Sequence, residues 1–266
     1  MIKVESKIKN GIIQLHGNGL FSKEEVTVSI SKKKDIKGIS FVLNNEIIPV
    51  DIKNVSNTTR NTMLSNGKES ICLVEHFLAA CSLLGVDGIK ISTNKNELVF
   101  GDGSASHWEK AFLDNGFCDQ IFGKYSLRQP IFLKNDKKQI VAFPHADFKV
   151  SYFLDWDHPA LGKMWASWKR GDKASKILNA RTFATKEEND FFGMSDLLLT
   201  LDKNGFNKKL HDPLEPAYHK VLDIIGDLRL CGVNPLEINM HVIGFKSGHA
   251  LNVELAKQLP SVLLPL

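Results

Sequence analysis

The chain has 266 residues, of which 43% are hydrophobic and 24% are charged, as is usual for a globular protein. Its net charge of +4 is too small to indicate nucleic-acid binding, and it suits an anionic substrate such as a phosphorylated sugar. The sequence shows no signal peptide and no apolar run of membrane-spanning length. The four cysteines form no Cys-x-x-Cys pair, so we expect free thiols and a cytoplasmic protein.

The first half of the chain is predicted to form short strands followed by a helix, a strand and a helix. Apolar alternation and turn residues place strands at 11–15, 25–31, 39–43 and 88–92 and helices at 73–84 and 106–115. Residues 16–19 predict a turn between the first two strands. Gly85 ends the first helix, and Ser104 or Ser106 is expected to cap the second.

The second half repeats this order of elements. Its predicted elements are strands at 126–133, 139–143, 148–154, 197–201 and 236–243 and helices at 213–230 and 250–258. The pattern restarts near residue 122, which predicts an N-terminal domain, residues 1–122, and a C-terminal domain, residues 123–266.

A short internal similarity indicates a duplication. Residues 74–87 align without gaps on residues 221–234, and His76 then occupies the position of Asp223. This alignment predicts an α+β fold of two similar β-α-β-α halves, packed with their helices at the interface, each contributing a ligand there.

A His-x-x-x-Asp pair lies on the predicted long helix. His219 and Asp223 are four residues apart, so both project from one face and can share a metal ion. A helix-surface ion pair is the alternative interpretation. The apolar neighbours favour the metal, because a buried carboxylate needs a cation or several hydrogen bonds.

Further candidates complete a hydrolytic site. His76 is predicted as the third ligand, which leaves a fourth position for water, and Glu75 beside it is placed to accept a proton from that water. His249 lies at a loop-to-helix junction, where it acts as an acid or simply caps the helix. Asp227 could orient such a histidine. Lys220 is a candidate to bind phosphate or to polarise a carbonyl group.

Together these residues resemble the UDP-3-O-acyl-N-acetylglucosamine deacetylase family over nearly the whole chain. The matching stretches, in order, are Gly17-Asn18-Gly19-Leu20, Asn61-Thr62-Met63-Leu64, Val74-Glu75-His76, Asp102-Gly103-Ser104-Ala105, Asp157-His158-Pro159, Ala180-Arg181-Thr182-Phe183, His219 to Leu228, and Phe245 to Asn252. Each stretch alone is weak, whereas their order is specific. The resemblance implies a zinc-dependent N-deacetylase of lipid A biosynthesis in Gram-negative bacteria.

The resemblance also implies roles for single residues. It makes His76, His219 and Asp223 the ligands of one zinc ion, Glu75 the general base and His249 the general acid, held by Asp227. It makes Thr182 the donor to the oxyanion, with Lys220 among the catalytic residues. It gives substrate contacts to Leu20, Trp156, Phe183 and Lys246, with Lys246 toward the diphosphate. The implied substrate is a UDP-linked acylated amino sugar, and we expect a monomer acting close to the inner membrane.

One departure leaves the substrate open. The segment from Phe183 to His219, which in the family holds the acyl chain, is shorter than usual, and its Gly-Gly-Ser stretch is reduced to Gly193-Met194-Ser195. A related deacetylase acting on a UDP-sugar without the long acyl chain is therefore the first alternative. A non-catalytic protein that binds nucleotide sugars is the second, although such a protein has no need of the base.

Overall fold

The computed structural model describes residues 4–9, 11–32, 37–191, 193 and 198–266. The elements of the first half are β1 (Glu5–Lys9), β2 (Ile12–Asn18), β3 (Glu25–Lys32), β4 (Ile39–Leu43), β5 (Glu46–Pro49), β6 (Val55–Asn57), β7 (Met63–Ser65), β8 (Ser70–Ile71), α1 (Val74–Leu83), β9 (Ile89–Thr93) and α2 (Ser106–Asp114).

The second half is longer and, like the first half, contains a small three-stranded sheet beside the large one. Its elements are β10 (Tyr125–Leu127), β11 (Ile131–Asn135), β12 (Lys138–Pro144), β13 (Lys149–Asp155), β14 (Lys163–Lys169), α3 (Ser175–Leu178), β15 (Phe183–Thr185), α4 (Lys186–Phe191), β16 (Leu199–Asp202), β17 (Gly205–Phe206), α5 (Glu215–Leu228), β18 (Ile238–Phe245), α6 (His249–Gln258) and β19 (Leu263–Pro265).

The two large sheets share one topology. In the first half the order is β2-β3-β9-β4-β5, with β1 beside β2, and β9 runs parallel to β4 while the other neighbours are antiparallel. In the second half the order is β11-β12-β18-β13-β14, and β18 likewise runs parallel to β13 between antiparallel pairs. Strand β10 pairs with the first two residues of β18, and β19 pairs with β10, so both strands extend this sheet. The α+β class is thus confirmed, and the shared strand order supports the predicted duplication. The boundary at residue 122 stays a prediction.

The two central helices lie against each other in the interior. Every residue of α1 except His76 is buried, and every residue of α5 except Lys220 is buried. A side chain at Gly226 is impossible without a shift, because its Cβ would lie 2.0 Å from the carbonyl oxygen of Glu75. The glycine therefore lets the backbones of α1 and α5 meet at the point where the candidate residues lie.

The predicted helices are present with small shifts at their ends. The long helix begins at Glu215 with Pro216 in its first turn, and the last helix begins at His249. One predicted cap was wrong, because α2 begins after Ala105, which makes no side-chain cap.

Two strand predictions were also wrong. The segment 16–19 is not a turn throughout, since β2 continues to Asn18 in register with β3. The single strand predicted at 126–133 is two strands, β10 and β11, separated around Pro130, which has no N–H to donate to a sheet.

Candidate metal centre and active site

Three predicted metal ligands meet where α1 contacts α5. The Nε2 atoms of His76 and His219 lie 3.1 Å apart, and the Oδ1 atom of Asp223 lies 3.5 Å and 3.6 Å from them. Their donor atoms all fall within 4.8 Å of one another. A tetrahedral ion with bonds of roughly 2.0–2.2 Å spaces its ligand atoms about 3.3–3.5 Å apart, so the group has the dimensions of a single-ion site.

The chemistry of the donor set also fits a cation. Asp223 is almost fully buried, and its Oδ1 atom receives no hydrogen bond from any described residue. Burial lowers the pKa of His219 well below its usual value, which keeps the ring neutral and able to bind a metal. Burial opposes ionisation of Asp223, but the neighbouring positive charges, Lys220 among them, hold its pKa well below the usual value. The residues therefore offer two imidazoles, that of His219 neutral, and one carboxylate.

Lys220 is the one residue of α5 that is not fully buried, and it faces the cleft. Its Nζ atom lies 2.9 Å from Oδ2 of Asp223, so it already neutralises the oxygen that does not face the histidines. Its ammonium group also lies over the ring of Phe183, 6.0 Å from the centroid. These contacts place a positive charge beside the candidate metal site.

Glu75 lies next to His76 in the first turn of α1. One of its carboxylate oxygens accepts a hydrogen bond of 3.0 Å from the backbone N–H of Thr62, and the residue lines the cleft. Burial raises the pKa of Glu75 above the usual value for a glutamate. A carboxylate of raised pKa is a better proton acceptor near neutral pH, as a general base requires.

His249, which lines the same cleft, forms a pair with Asp227. The Nδ1 atom of His249 lies 2.9 Å from Oδ2 of Asp227, which is completely buried. Burial alone would lower the pKa of His249, but the carboxylates of Asp227, Asp223 and Glu75 together outweigh it and raise the pKa to about 10. The ring is therefore protonated at neutral pH and can donate from Nε2, as a general acid must.

Thr62 is a residue whose role the sequence did not reveal. Its hydroxyl donates to Oδ1 of Asp227 at 2.6 Å, while its backbone N–H donates to Glu75. Asn252 donates to the other oxygen of Asp227 at 2.9 Å. Thr62 thus connects the candidate base of the first half to the pair that holds the candidate acid in the second. The stretch Asn61 to Leu64 resembles the family in sequence, but nothing in its residue pattern indicates these contacts.

Thr182 lines the same cleft, and its hydroxyl has a partner. Its Oγ1 atom donates to the carbonyl oxygen of Gly103 at 3.1 Å. A hydroxyl has one proton to donate, so a hydrogen bond from Thr182 to an oxyanion requires rotation about its Cβ–Oγ bond. The segment itself is fixed by Arg181, whose guanidinium forms two hydrogen bonds of 2.7 Å and 3.0 Å with the carboxylate of Glu215 at the start of α5.

The cleft has a volume of about 250 Å³ and joins these polar groups to an apolar wall. Leu20, Phe100 and Leu198 form a buried cluster of their own, with Leu73 packed against it. The loop that carries Leu20 is held by the buried Glu97, which accepts hydrogen bonds from the backbone of residues 21 and 22. Leu20 and Phe183 both line the cleft, and their contact with the substrate stays a prediction.

Two predicted substrate contacts lie outside this cleft. Trp156 and Lys246 line a separate shallow groove. The ring of Trp156 lies 5.5 Å from the ring of Phe183, so the groove adjoins the cleft. Lys246 pairs with Asp155 at 3.0 Å, which partly neutralises the charge expected to meet a diphosphate.

The cleft brings together three candidate metal ligands, a carboxyl group and an imidazole. This arrangement is expected of a metal-dependent hydrolase. The family model described as LpxC, UDP-3-O-acyl N-acetylglycosamine deacetylase, matches residues 7–261. The chain therefore belongs to the UDP-3-O-acyl N-acetylglycosamine deacetylase family.

Individual relatives agree with this assignment. A protein of Trichormus variabilis named UDP-3-O-acyl-N-acetylglucosamine deacetylase is 31% identical over 231 residues, which are 80% of this chain and 81% of the relative. A protein of Chlamydia abortus with the same name is 30% identical over 95% of this chain and 96% of the relative. Another of that name, from Thermosynechococcus vestitus, is 28% identical over 94% of this chain and 92% of the relative.

Proposed function

We propose that this chain is a zinc-dependent deacetylase that hydrolyses the acetamide of UDP-3-O-acyl-N-acetylglucosamine and releases acetate, the committed step of lipid A biosynthesis. The observation that carries the proposal is the convergence of His76, His219 and Asp223 between Glu75 and His249 in a member of this family. The names of the relatives support the substrate.

His76, His219 and Asp223 would hold the zinc ion through Nε2, Nε2 and Oδ1. Zinc bound in such a site supplies Lewis-acid chemistry, which polarises an amide carbonyl and lets water ionise near neutral pH. Zinc fits this donor set better than magnesium or calcium, because two imidazoles and one carboxylate are its usual catalytic ligands, whereas the other two ions prefer oxygen.

Glu75 accepts a proton from the attacking water, since its raised pKa suits it to that task and the Thr62 N–H fixes its carboxylate. The hydroxyl of Thr182 turns from Gly103 and donates to the oxygen of the tetrahedral intermediate. A hydrogen-bond donor at this place stabilises the negative charge that develops on that oxygen. His249 donates its Nε2 proton to the nitrogen as the carbon–nitrogen bond breaks. Acetate and a free amine leave, and Asp227 holds the ring throughout.

The apolar wall is proposed to hold the 3-O-acyl chain. Leu20, Phe100 and Leu198 are buried together at one side of the cleft and apart from the main core, so they offer an apolar surface beside polar catalytic groups. Strand β15, helix α4 and strand β16 form this side of the cleft despite the shortened segment. Residues 194 and 195 of the reduced Gly-Met-Ser stretch lie outside the described residues, as do 196 and 197.

The proposals for cellular location and oligomeric state rest on fewer observations. None of the described helices has the length and apolar character needed to cross a membrane. All four cysteines are free thiols, as expected in a reducing compartment, and we propose a cytoplasmic monomer.

The test is acetate release from purified protein of measured zinc content, with UDP-3-O-acyl-N-acetylglucosamine and with UDP-N-acetylglucosamine as substrates. We expect release that requires about one zinc per chain, stops with a chelator and is faster with the acylated sugar. The single substitution Leu198→Ser should reduce the preference for the acylated sugar and leave slow hydrolysis of the other unchanged. Zinc bound without release from either sugar would contradict the proposed reaction.

A further inference from the structure

The two large sheets differ on the faces that point away from the helices. Alternate residues of β2, β3, β9, β4 and β5 point outward, and they are mostly Ser, Thr and other polar residues: Ile12, Gln14, His16, Thr27, Ser29, Ser31, Ser40, Val42, Ile47, Lys90 and Ser92. None of these described residues is Phe, Trp or Tyr. A solvated sheet face normally has this composition.

The corresponding face of the second sheet is aromatic. Its large apolar side chains, which we call the aromatic face, are Phe132, Val141, Phe143, Phe153, Trp165, Ile243 and Phe245. The described core residues do not cover them, and Phe132 and Trp165 remain 61% and 49% exposed. Large apolar patches of this kind mark an interaction surface.

The polar groups at the centre of the aromatic face need no water. The hydroxyl of Ser151 lies 2.7 Å from that of Ser167 and 2.9 Å from Nε2 of His241. Because these groups satisfy one another, removing water from the face leaves none of the three without a partner. The face is therefore suited to become dehydrated on binding.

The border of the aromatic face is positively charged. Lys134, Lys163 and Lys169 are exposed, Lys149 is half-buried, and none has an ion pair within the described part of the chain. Two of the nearby acids are paired, Asp155 with Lys246 and Asp147 with Arg170, whereas Asp172 accepts a hydrogen bond from the backbone N–H of Lys169. Lysines beside exposed aromatic rings complement a surface that is negatively charged outside and apolar below.

We propose that the aromatic face binds the surface of an anionic phospholipid bilayer. Phe132 and Trp165 lie on β11 and β14, at opposite sides of a five-strand sheet and so roughly 19 Å apart, and they would enter the interface as two anchors. The lysines would contact lipid phosphates, each adding to the attraction.

Two other occupants fit the contacts less well. A second copy of the chain would bring two lysine borders together, which like charges disfavour. A single-stranded nucleic acid would need exposed ring faces on which bases stack, but Phe153 and Phe245 stack on each other, with centroids 5.2 Å apart and planes at 13°. The lipid surface needs only ring edges and apolar area.

The test is co-sedimentation of the full chain with vesicles of phosphatidylcholine alone or with about one third phosphatidylglycerol. We expect binding to the anionic vesicles at low salt, and loss of binding at high salt and on the neutral vesicles. The double substitution Phe132→Ser/Trp165→Ser should weaken the partition coefficient about tenfold or more. The matched control Ile47→Ser removes an equally exposed apolar residue from the first sheet and should change nothing.

A second pair of variants tests the charge. Lys163→Glu/Lys169→Glu should weaken binding by about tenfold or more, whereas Lys90→Glu on the outward face of the first sheet should have little effect. Acetate release and thermal melting establish that each variant folds. Failure of the unaltered chain to bind anionic vesicles, or equal losses in the controls, would overturn the proposal. A dimer that the double serine variant dissociates, without vesicle binding, would assign the face to a second copy.

Discussion

The central helices α1 and α5 occupy the same place in two sheets of the same strand order, yet they contribute different chemistry. Helix α1 provides a carboxyl and one imidazole from adjacent residues of its first turn, Glu75 and His76. Helix α5 provides two ligands and the partner of the candidate acid on successive turns, at His219, Asp223 and Asp227. One architecture therefore carries the candidate base in one half and the partner of the candidate acid in the other.

The largest expected effect comes from removing a ligand from either helix. In Asp223→Ala and in His76→Ala, two donors remain, so we expect zinc to be lost and acetate release to fall on the order of a thousandfold or more. Zinc content by elemental analysis and acetate release measure the effect. His145→Gln alters an exposed histidine far from the ligands and serves as the control. Full zinc content in Asp223→Ala would show that Asp223 is not a ligand.

The next effect separates the base of the first half from the acid of the second. Glu75→Gln and His249→Gln should each retain zinc and lose about 10²–10⁴-fold in kcat. Because the base must be deprotonated, Glu75→Gln should abolish the fall in rate at low pH. Because the acid must be protonated, His249→Gln should abolish the fall at high pH. Loss of the same limb in both variants would refute the division of roles.

A smaller effect tests the contact between the helices. Gly226→Ala introduces a Cβ that would meet the Glu75 carbonyl oxygen, so we expect the free energy of unfolding to fall by about 3 kcal/mol or more. Chemical denaturation measures the loss. Gly248→Ala, whose Cβ would meet nothing within 4 Å, is the control for stability. Equal stability of Gly226→Ala and the unaltered chain would mean that the helices can separate at no cost.

The smallest effect concerns His241 on the outward face of the second sheet. Burial, helped by Lys149 and His145, lowers the pKa of His241 to about 4, against about 6.5 in an unfolded chain. The unfolded state therefore binds the extra proton first, so this contribution is present above pH 6.5 and is lost as the pH falls toward 4. We expect the free energy of unfolding to fall by about 2 kcal/mol between pH 8 and pH 5 because of this group. The difference in unfolding free energy between the unaltered chain and His241→Gln should shrink over this range, and a constant difference would contradict the assignment.

Hydrophobic periodicity in the sequence predicted several helices and strands correctly, and the order of the motifs predicted which residues are candidates for the site. Strand β4 and helix α1 are placed within one residue, because alternation and a terminal glycine define them locally. Strand β14, helix α4 and strand β17 were not predicted. Helix α4 and strand β17 are only six and two residues long. Strand β14 has seven residues, but lysines begin and end it, and within the described chain it pairs only with β13 at the edge of the sheet.

The network behind the site could not be predicted for a different reason. Thr62 and Asp227 are 165 positions apart, and only the packing of α1 on α5 brings them within hydrogen-bond distance. The same holds for Glu97, whose side chain supports the loop at residues 21 and 22 from far along the chain. Such contacts leave no local pattern. The aromatic face, by contrast, is visible in the sequence only once the strand register shows which alternate residues point outward.

Because the three candidate ligands come from both halves, we expect metal binding to be linked to the contact between the halves. An ion held by His76 on α1 and by His219 and Asp223 on α5 can bind only when the two helices are in contact. By mass action, a free ion at a thousand times its dissociation constant then adds about 4 kcal/mol against any unfolding that separates the halves. Depletion of the metal would therefore weaken the joint between the halves as well as stop turnover, so a cell that withdraws zinc would shorten the lifetime of the protein itself.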